Sequence, residues 1–312
     1  MINRNPVELL FSTTQNYLLF YIVLARSVAE HLNGRRLRIH VLYTTAFNKI
    51  PEQDWHKYKD AFNNTMLDFP GTEIIYHDVT DKLKLFDGQN VGQWGGDVSL
   101  THYIYLLAQN ILYTSDRVIY MDGDMICNAN LCDVFDMDMT GKLIAMAEHS
   151  GGDDLSEKEL GPDASNSGFL VLNLKLWREL GTLDDILQFG RNLQKTSFCD
   201  QALLYYYFAV NNPDKIMYID KMYNMFPGAN PDIPTAEMKV MHFTSYRDPK
   251  PWLHLGDHSW RGSDIWWKYA RRTTIYELFI DGIMYNKLKK IDKIFNSKKH
   301  HSFWWHLRKM KF

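Results

Sequence analysis

The sequence predicts an α/β fold: an open, mostly parallel sheet with helices on both faces. Three observations carry this. From residue 6 to residue 79, β-forming runs alternate with helix-periodic stretches in the order strand, helix, strand, helix, strand, the pattern of parallel strands joined by helical crossovers. The apolar run Arg117–Ile126 contains Asp122-Gly123-Asp124, as expected of a buried strand that delivers polar groups to its carboxyl end. No internal repeat or low-complexity linker interrupts the 312 residues, a length that one large domain accommodates.

Pro6–Thr13 reads as the first strand. The polar Thr14-Gln15-Asn16 precedes an apolar-periodic helix, Tyr17–Leu32, which that cluster can cap. Arg36–Tyr43 is a second strand, Pro51 opens a helix that runs to Asn63, and Thr72–Val79 is a third strand. Residues 86–97 are rich in glycine, contain Trp94 and read as a loop. Val98–Tyr113 predicts a helix ahead of the central strand, and Leu143–Ala147 a further strand. Residues 148–165 hold Gly151, Gly152, Gly161 and Pro162; a loop of that length inside a domain points to a functional lid or a mobile segment. Ser167–Leu174 is another apolar run, Leu183–Leu193 and Asp200–Val210 read as helices, and Lys215–Tyr218 and Lys239–Thr244 as short strands. The last helical region begins near Asp264.

Composition narrows the class. The chain is 46% hydrophobic and 23% charged, ordinary for a protein with a sizeable core. Its three cysteines, Cys127, Cys132 and Cys199, suggest no disulfide framework and fit a reducing compartment. No signal peptide is visible, and the longest apolar stretch, Tyr17–Ala25, is too short to span a bilayer. A cytoplasmic protein is expected. The net charge of −2 hides an asymmetry: residues 287–312 carry nine Lys/Arg against Asp292 alone, a net +8, leaving −10 for the rest. A basic tail on an acidic body points to a partner of its own.

Asp122 and Asp124, one glycine apart, repel each other unless something positive sits beside them. A divalent cation meets that need, and hard oxygen ligands suit Mg²⁺ or Mn²⁺. Gly123 lets the backbone turn and approach a ligand closely. Read alone, Asp-Gly-Asp is also a common surface turn, and His242 on a strand is also a common core histidine.

Taken together, four motifs in order change that weighting: Ile119-Tyr120-Met121-Asp122-Gly123-Asp124, Asn166-Ser167-Gly168-Phe169-Leu170-Val171-Leu172-Asn173-Leu174, Asp200-Gln201, and His242-Phe243 followed by Lys250-Pro251-Trp252. They resemble glycosyltransferase family 8, retaining sugar-nucleotide-dependent enzymes that include bacterial lipopolysaccharide galactosyl- and glucosyltransferases. The resemblance spans roughly residues 7–280 and implies a nucleotide-binding sheet of the glycosyltransferase A type. It implies metal ligation by Asp122, Asp124 and His242, with Mn²⁺ (or Mg²⁺) as cofactor and Lys250 near the same phosphates. Ser12, Thr13, Thr14, Asn16, Tyr17, Tyr105, Met121, Asp122, Gly123, Asn166 and Lys250 fall at donor-binding places. Asp200 and Gln201 fall at the catalytic place beside the sugar. Glutamine is a poor nucleophile, so a front-face mechanism is favoured; a double displacement needs a carboxylate, for which Asp200 is the nearest candidate.

Three departures bear on specificity. Thr14 and Gln15 stand where the family often has acidic residues. Tyr105 stands where it commonly has an arginine, leaving no fixed cation there. The run from His242 to Lys250 is longer than usual, and Arg247 within it can take part of the phosphate role. The expected protein is thus a metal-dependent retaining glycosyltransferase using a UDP-hexose and a saccharide acceptor of lipopolysaccharide or another surface glycan. Its rivals are a nucleotidyltransferase or sugar-nucleotide hydrolase, and a non-catalytic nucleotide-sugar-binding membrane scaffold. Residues 1–280 form the expected catalytic domain and 281–312 a basic appendage. The tail interleaves Lys/Arg with Phe295, Phe303, Trp304, Trp305 and Phe312, which suits an anionic membrane surface better than nucleic acid. Peripheral attachment at the inner face of the plasma membrane, facing a lipid-linked acceptor, follows as an expectation.

Overall fold

Among the described residues, seven strands form one sheet, and two more form a small sheet at its carboxyl edge. In chain order they are β1 (Val7–Thr14), β2 (Leu37–Thr44), β3 (Glu73–Asp78), β4 (Val118–Met121), β5 (Met125–Cys127), β6 (Ile144–Ala147), β7 (Phe169–Leu172), β8 (Ile216–Ile219) and β9 (Val240–His242). This computed structural model describes residues 5–281 except 48, 91–96, 152–153, 162–163, 195, 245–249 and 254–259. Expectations that fall on Trp94, on Arg247 and on residues 282–312 lie outside the described residues.

The large sheet runs β3-β2-β1-β4-β7-β6-β8. β1 pairs in parallel with β2 and with β4, β2 with β3, and β6 with β8. Only β7 is reversed, antiparallel to both β4 and β6. The sheet is therefore mostly parallel, as expected, with one inverted strand inside it. Alternate side chains feed two cores, which is what strand geometry dictates. Leu9, Phe11, Ile119, Met121, Phe169 and Val171 face one core, closed by α1 (Leu18–His31), α2 (Glu52–Met66) and the C-terminal Trp266 and Trp267. Leu10, Leu42, Val118, Tyr120, Leu170 and Leu172 face the other, closed by residues 103–108 and the helix Thr182–Asn192.

Some local expectations are corrected. The stretch from Val98 to Tyr113 is not one α-helix but a 3₁₀ helix, Asp97–Leu107, followed by a short α-helix, Ala108–Ile111. Residues Tyr103 to Ala108 are all fully buried, so no single amphipathic stripe governs the coil. The helix from Asp200 becomes a π-helix over Tyr205–Asn211, where Asn212 Nδ2 donates to the Tyr207 carbonyl at 2.8 Å. The Thr14-Gln15-Asn16 cluster does not cap α1: a 3₁₀ turn, Gln15–Tyr17, leads into it. The Thr14 hydroxyl is instead donated to Asn16 Oδ1 at 2.7 Å, and Gln15 Oε1 accepts from the Ile50 amide at 3.2 Å. The lid segment contains a helix, Asp154–Leu160, braced within the segment by His149, which meets Glu157 Oε1 at 2.5 Å and the Ala164 carbonyl at 3.1 Å, and joined to the body where the Ser197 amide donates to Glu159 Oε1 at 2.6 Å.

Candidate active site and metal centre

The run expected as one strand divides at the two aspartates. β4 ends at Met121, the Asp122 amide donates to the Gly168 carbonyl at 2.9 Å, and the chain re-enters a strand at Met125. That second strand, β5, pairs antiparallel with β9, with Met125 opposite His242. The Phe243 amide donates to the Asp124 carbonyl at 2.9 Å. The small sheet is what sets His242 beside carboxylates far from it in sequence.

Asp122, Asp124 and His242 offer one ligand atom each, all within 4.8 Å of one another. His242 Nε2 lies 3.1 Å from Asp124 Oδ1 and 3.7 Å from Asp122 Oδ2. Its other nitrogen, Nδ1, is 2.9 Å from Asn224 Oδ1. An amide oxygen can only accept, so Nδ1 carries a proton; Nε2 faces the carboxylates, and an ion bound between them would take its lone pair. This is the arrangement of a metal-ligating histidine held by a hydrogen bond on its far side. Two hard carboxylates and one imidazole suit a Mn²⁺-type ion, so these residues fit the implied metal.

The electrostatics agree. Burial and then the charge of Asp124 push the Asp122 carboxyl above its usual range. Burial also pushes Asp124 upward, but Lys250 and His242 together hold it well below that range. Lys250 Nζ is bonded to Asp124 Oδ2, a cation lying where two adjacent carboxylates need one. The Tyr120 hydroxyl donates to Asp122 Oδ1.

Tight packing explains both motif glycines. A Cβ on Gly123 would come within 2.8 Å of the Tyr21 ring, and one on Gly168 within 2.5 Å of His242 Cε1. Asn166 Oδ1 accepts from the Gly168 amide at 2.9 Å, its Nδ2 is 3.3 Å from Gln201 Oε1, and Asn224 Nδ2 donates to Asn166 Oδ1 at 3.1 Å. Among the described residues, Gln201 Nε2 is a buried donor with no partner, and Ser12 Oγ is likewise unpartnered. An unmet buried polar group is costly unless a ligand or water completes it.

The expected site residues are placed as follows. Asp200 is buried at the first position of its helix and accepts from the Tyr105 hydroxyl at 3.1 Å. Burial raises its carboxyl above the usual range against the pull of His102, whose Nδ1 is 3.9 Å away. Tyr105 is fully buried, stacked on Tyr120 at 4.5 Å, so its side chain lies behind Asp200. Met121 is fully buried in the core, where its side chain serves packing. Tyr17 is edge-on to Trp252 at 6.2 Å, near the two aspartates whose charges raise its hydroxyl after burial does. Thr13 spends its hydroxyl on the Thr14 carbonyl at 2.8 Å. Asn224 and His102 are absent from the sequence-based set, and no local motif marks Asn224.

A separate cavity of about 680 Å³ is lined by Glu8, Arg35, Arg117, Asp136 and Lys175 among others. It lies at the amino ends of β1 and β4. Arg35 is paired with Asp136, and Arg117 donates to the Phe135 and Met137 carbonyls. Those two guanidinium groups are committed to the fold, and the chemistry sits at the opposite edge.

Comparison with known proteins gives a consistent picture. The family model described as "Glycosyl transferase family 8" matches residues 8–256. Glycosyltransferase GlyB of Streptococcus pneumoniae is 27% identical over 168 residues, 49% of this chain but 38% of its own length. The chain thus spans well under half of that relative. Lipopolysaccharide glucosyltransferase WaaO of Escherichia coli K12 is 23% identical over 277 residues, 81% of this chain and 73% of WaaO. Among solved structures, the galactosyltransferase LgtC in complex with donor and acceptor sugar analogues aligns with a TM-score of 0.64 at 19% identity, covering 86% of this chain and 96% of LgtC. That likeness establishes the fold.

Proposed function

The chain belongs to glycosyltransferase family 8, and from that premise we propose that it is a metal-dependent retaining hexosyltransferase. It would move galactose or glucose from a UDP-sugar to a saccharide acceptor in lipopolysaccharide or another surface glycan. The observation that carries this reading is the convergence of Asp122, Asp124 and His242 at the carboxyl edge of the sheet, with the histidine's far nitrogen held by Asn224. These three residues would hold Mn²⁺, or Mg²⁺, which when bound neutralises charge on the leaving diphosphate.

The chain's own residues supply the rest. Lys250, freed from Asp124, would add a point charge to the phosphates. Ser12, Thr13, Thr14, Asn16 and Tyr17 would bind the base and ribose, with Met121 and Gly123 contributing backbone. Asn166 and Asp200 would orient the sugar, with Tyr105 fixing Asp200 from behind. The unpartnered Gln201 amide would face the reacting ring. On the front face, the acceptor hydroxyl bonds to the anomeric carbon as the bond to the diphosphate breaks. The electron pair leaves with the diphosphate, whose oxygen takes the acceptor's proton. Asp200 is held by the Tyr105 hydroxyl and the Gln201 amide is no nucleophile, which supports this route over a covalent intermediate.

The test is UDP release from UDP-galactose, UDP-glucose and their N-acetyl forms with Mn²⁺, wild type against Asp124→Ala. Release from one donor, lost in the variant, is the expected result. Donor binding without release, even with lipid-linked glycans added, would support a non-catalytic scaffold instead. We further propose residues 1–280 as the catalytic domain and 281–312 as a membrane-association tail placing the enzyme at the inner face of the plasma membrane. Support comes from the tail's Lys/Arg and aromatic residues; no helix among the described residues is long and apolar enough to cross a membrane. Full-length protein should co-sediment with anionic liposomes and a truncation before Lys287 should not; equal binding refutes the tail's role.

A further inference from the structure

Away from the carboxyl edge, the face of the sheet that carries Leu10 and Leu42 also carries a polar cluster from β1, β2 and β3. His40 on β2 and His77 on β3 stack with ring centroids 5.5 Å apart and an interplanar angle of 28°. His40 Nδ1 and His77 Nε2 face each other at 3.3 Å. The other nitrogen of His40, Nε2, meets Glu8 Oε2 at 3.2 Å. Glu8 is itself held by Arg38 at 3.1 Å and by the Ser115 hydroxyl. Nothing in the proposed reaction uses these residues.

We propose that His40 and His77 form a two-imidazole site for a borderline divalent cation of the zinc type, distinct from the Asp122–Asp124–His242 centre. Three features of the geometry support it. First, two imidazole nitrogens bound tetrahedrally to zinc stand roughly 3.3–3.4 Å apart, from Zn–N distances of about 2.0–2.1 Å; the observed separation of 3.3 Å, across a ring-to-ring hydrogen bond, matches this once the ion displaces the shared proton. Second, Glu8 is a carboxylate and accepts the Nε2 proton of His40, leaving the Nδ1 lone pair toward His77. When His77 carries its own ring proton on Nδ1, both facing nitrogens are free to donate a lone pair to the same ion. A carboxylate on the far nitrogen is also the usual support of a metal-bound histidine. Third, the site is reachable: Ile75, the register partner of His40 on the edge strand, is 37% exposed, and His77 is only half-buried. Burial, with His40 beside it, lowers His77 to about 4, so its ring is neutral and able to ligate at neutral pH. Two protein ligands leave the remaining positions to water, which makes this an exchangeable site that would tie edge strand β3 to β2.

The experiment is calorimetric titration of Zn²⁺ into the full-length Asp124→Ala variant at pH 7.5, with thermal unfolding read in parallel. The Asp124→Ala background weakens the first centre, so the proposal can fail or succeed independently of the proposed reaction. One Zn²⁺-binding event that raises the melting temperature is expected. Adding His77→Gln, at a half-buried position that should tolerate it, should weaken that event at least tenfold and remove the shift. Glu8→Gln in place of His77→Gln should weaken it ten- to a hundredfold. Absence of Zn²⁺ binding in Asp124→Ala overturns the proposal. So does an unchanged isotherm on adding His77→Gln, which would assign the ion to other histidines, such as His300 and His301 of the tail.

Discussion

Asn224 is the residue whose role is easiest to overlook and simplest to test. It is 2% exposed, its Oδ1 fixes His242 Nδ1 at 2.9 Å, and its Nδ2 reaches both the carbonyl and the side chain of Asn166. It therefore couples the metal-side histidine to the residue that contacts Gln201. Removing the group that orients a metal-ligating histidine typically weakens metal binding ten- to a hundredfold. Asn224→Ala should lower Mn²⁺ affinity by that factor in a direct binding measurement, with the near-ultraviolet circular dichroism unchanged. Unaltered affinity would mean that the small β5–β9 sheet alone orients His242. At this scale the aspartate pair was legible in sequence because an apolar strand precedes it and the motifs around Asn166, Asp200 and His242 follow it in order; alone, Asp-Gly-Asp is equally a surface turn. Asn224 was not, because an asparagine that acts through another side chain leaves no spacing or charge pattern. Tyr105 was read as a donor-side substitution, yet its burial behind Asp200 depends on stacking against Tyr120, which no local pattern announces.

Among the elements, legibility follows periodicity. β1 to β3, α1 and α2 announce themselves because continuous or 3.6-spaced apolar residues meet polar punctuation. The 3₁₀ segment Asp97–Leu107 and the π turn Tyr205–Asn211 do not; where every side is buried, pattern cannot distinguish one coil from another. The pairing of β5 with β9 is equally silent, since it is decided by tertiary contact between distant segments. That pairing has a support that can be removed. Arg261 donates to the carbonyls of Pro227, Asn230 and Ile233, bracing the turn that leads from Phe226 towards β9. The Phe226 ring lies 5.4 Å from the His242 ring. Arg261→Ala removes the donor to the Pro227 and Ile233 carbonyls, while the Asn230 carbonyl keeps the Ile233 amide at 3.2 Å, and leaving such groups unmet costs about 1–3 kcal/mol. Urea unfolding should report a loss of that size, accompanied by weaker Mn²⁺ binding. A stability loss without any effect on the metal would separate the turn from the centre.

For the whole molecule, the sheet keeps its two kinds of polar chemistry apart: the proposed metal site of Asp122, Asp124 and His242 at the carboxyl edge, and Glu8, Arg38, His40, His77 and Ser115 on the face of β1–β3. The second group makes folding stability depend on pH in the absence of added metal. His77 is lowered from 6.5 to about 4 by burial and by His40. Between those values the unfolded chain binds a proton that the folded chain refuses, so stability falls as pH drops through that window and levels off from this source below it. Burial pushes Glu8 upward, but His40, Ser115 and Arg38 together hold it below its ordinary 4.5. Its contribution is present above 4.5 and is lost at lower pH, as the folded carboxyl protonates. The two losses follow one another on acidification, the histidine first. The melting temperature of wild type should therefore decline from pH 6.5 towards pH 4, and His77→Gln should flatten that decline while leaving the later, Glu8-dependent fall in place. If the variant keeps the wild-type slope between pH 6.5 and 4, the acid sensitivity arises elsewhere and His77 is accessible enough to titrate normally in the folded state.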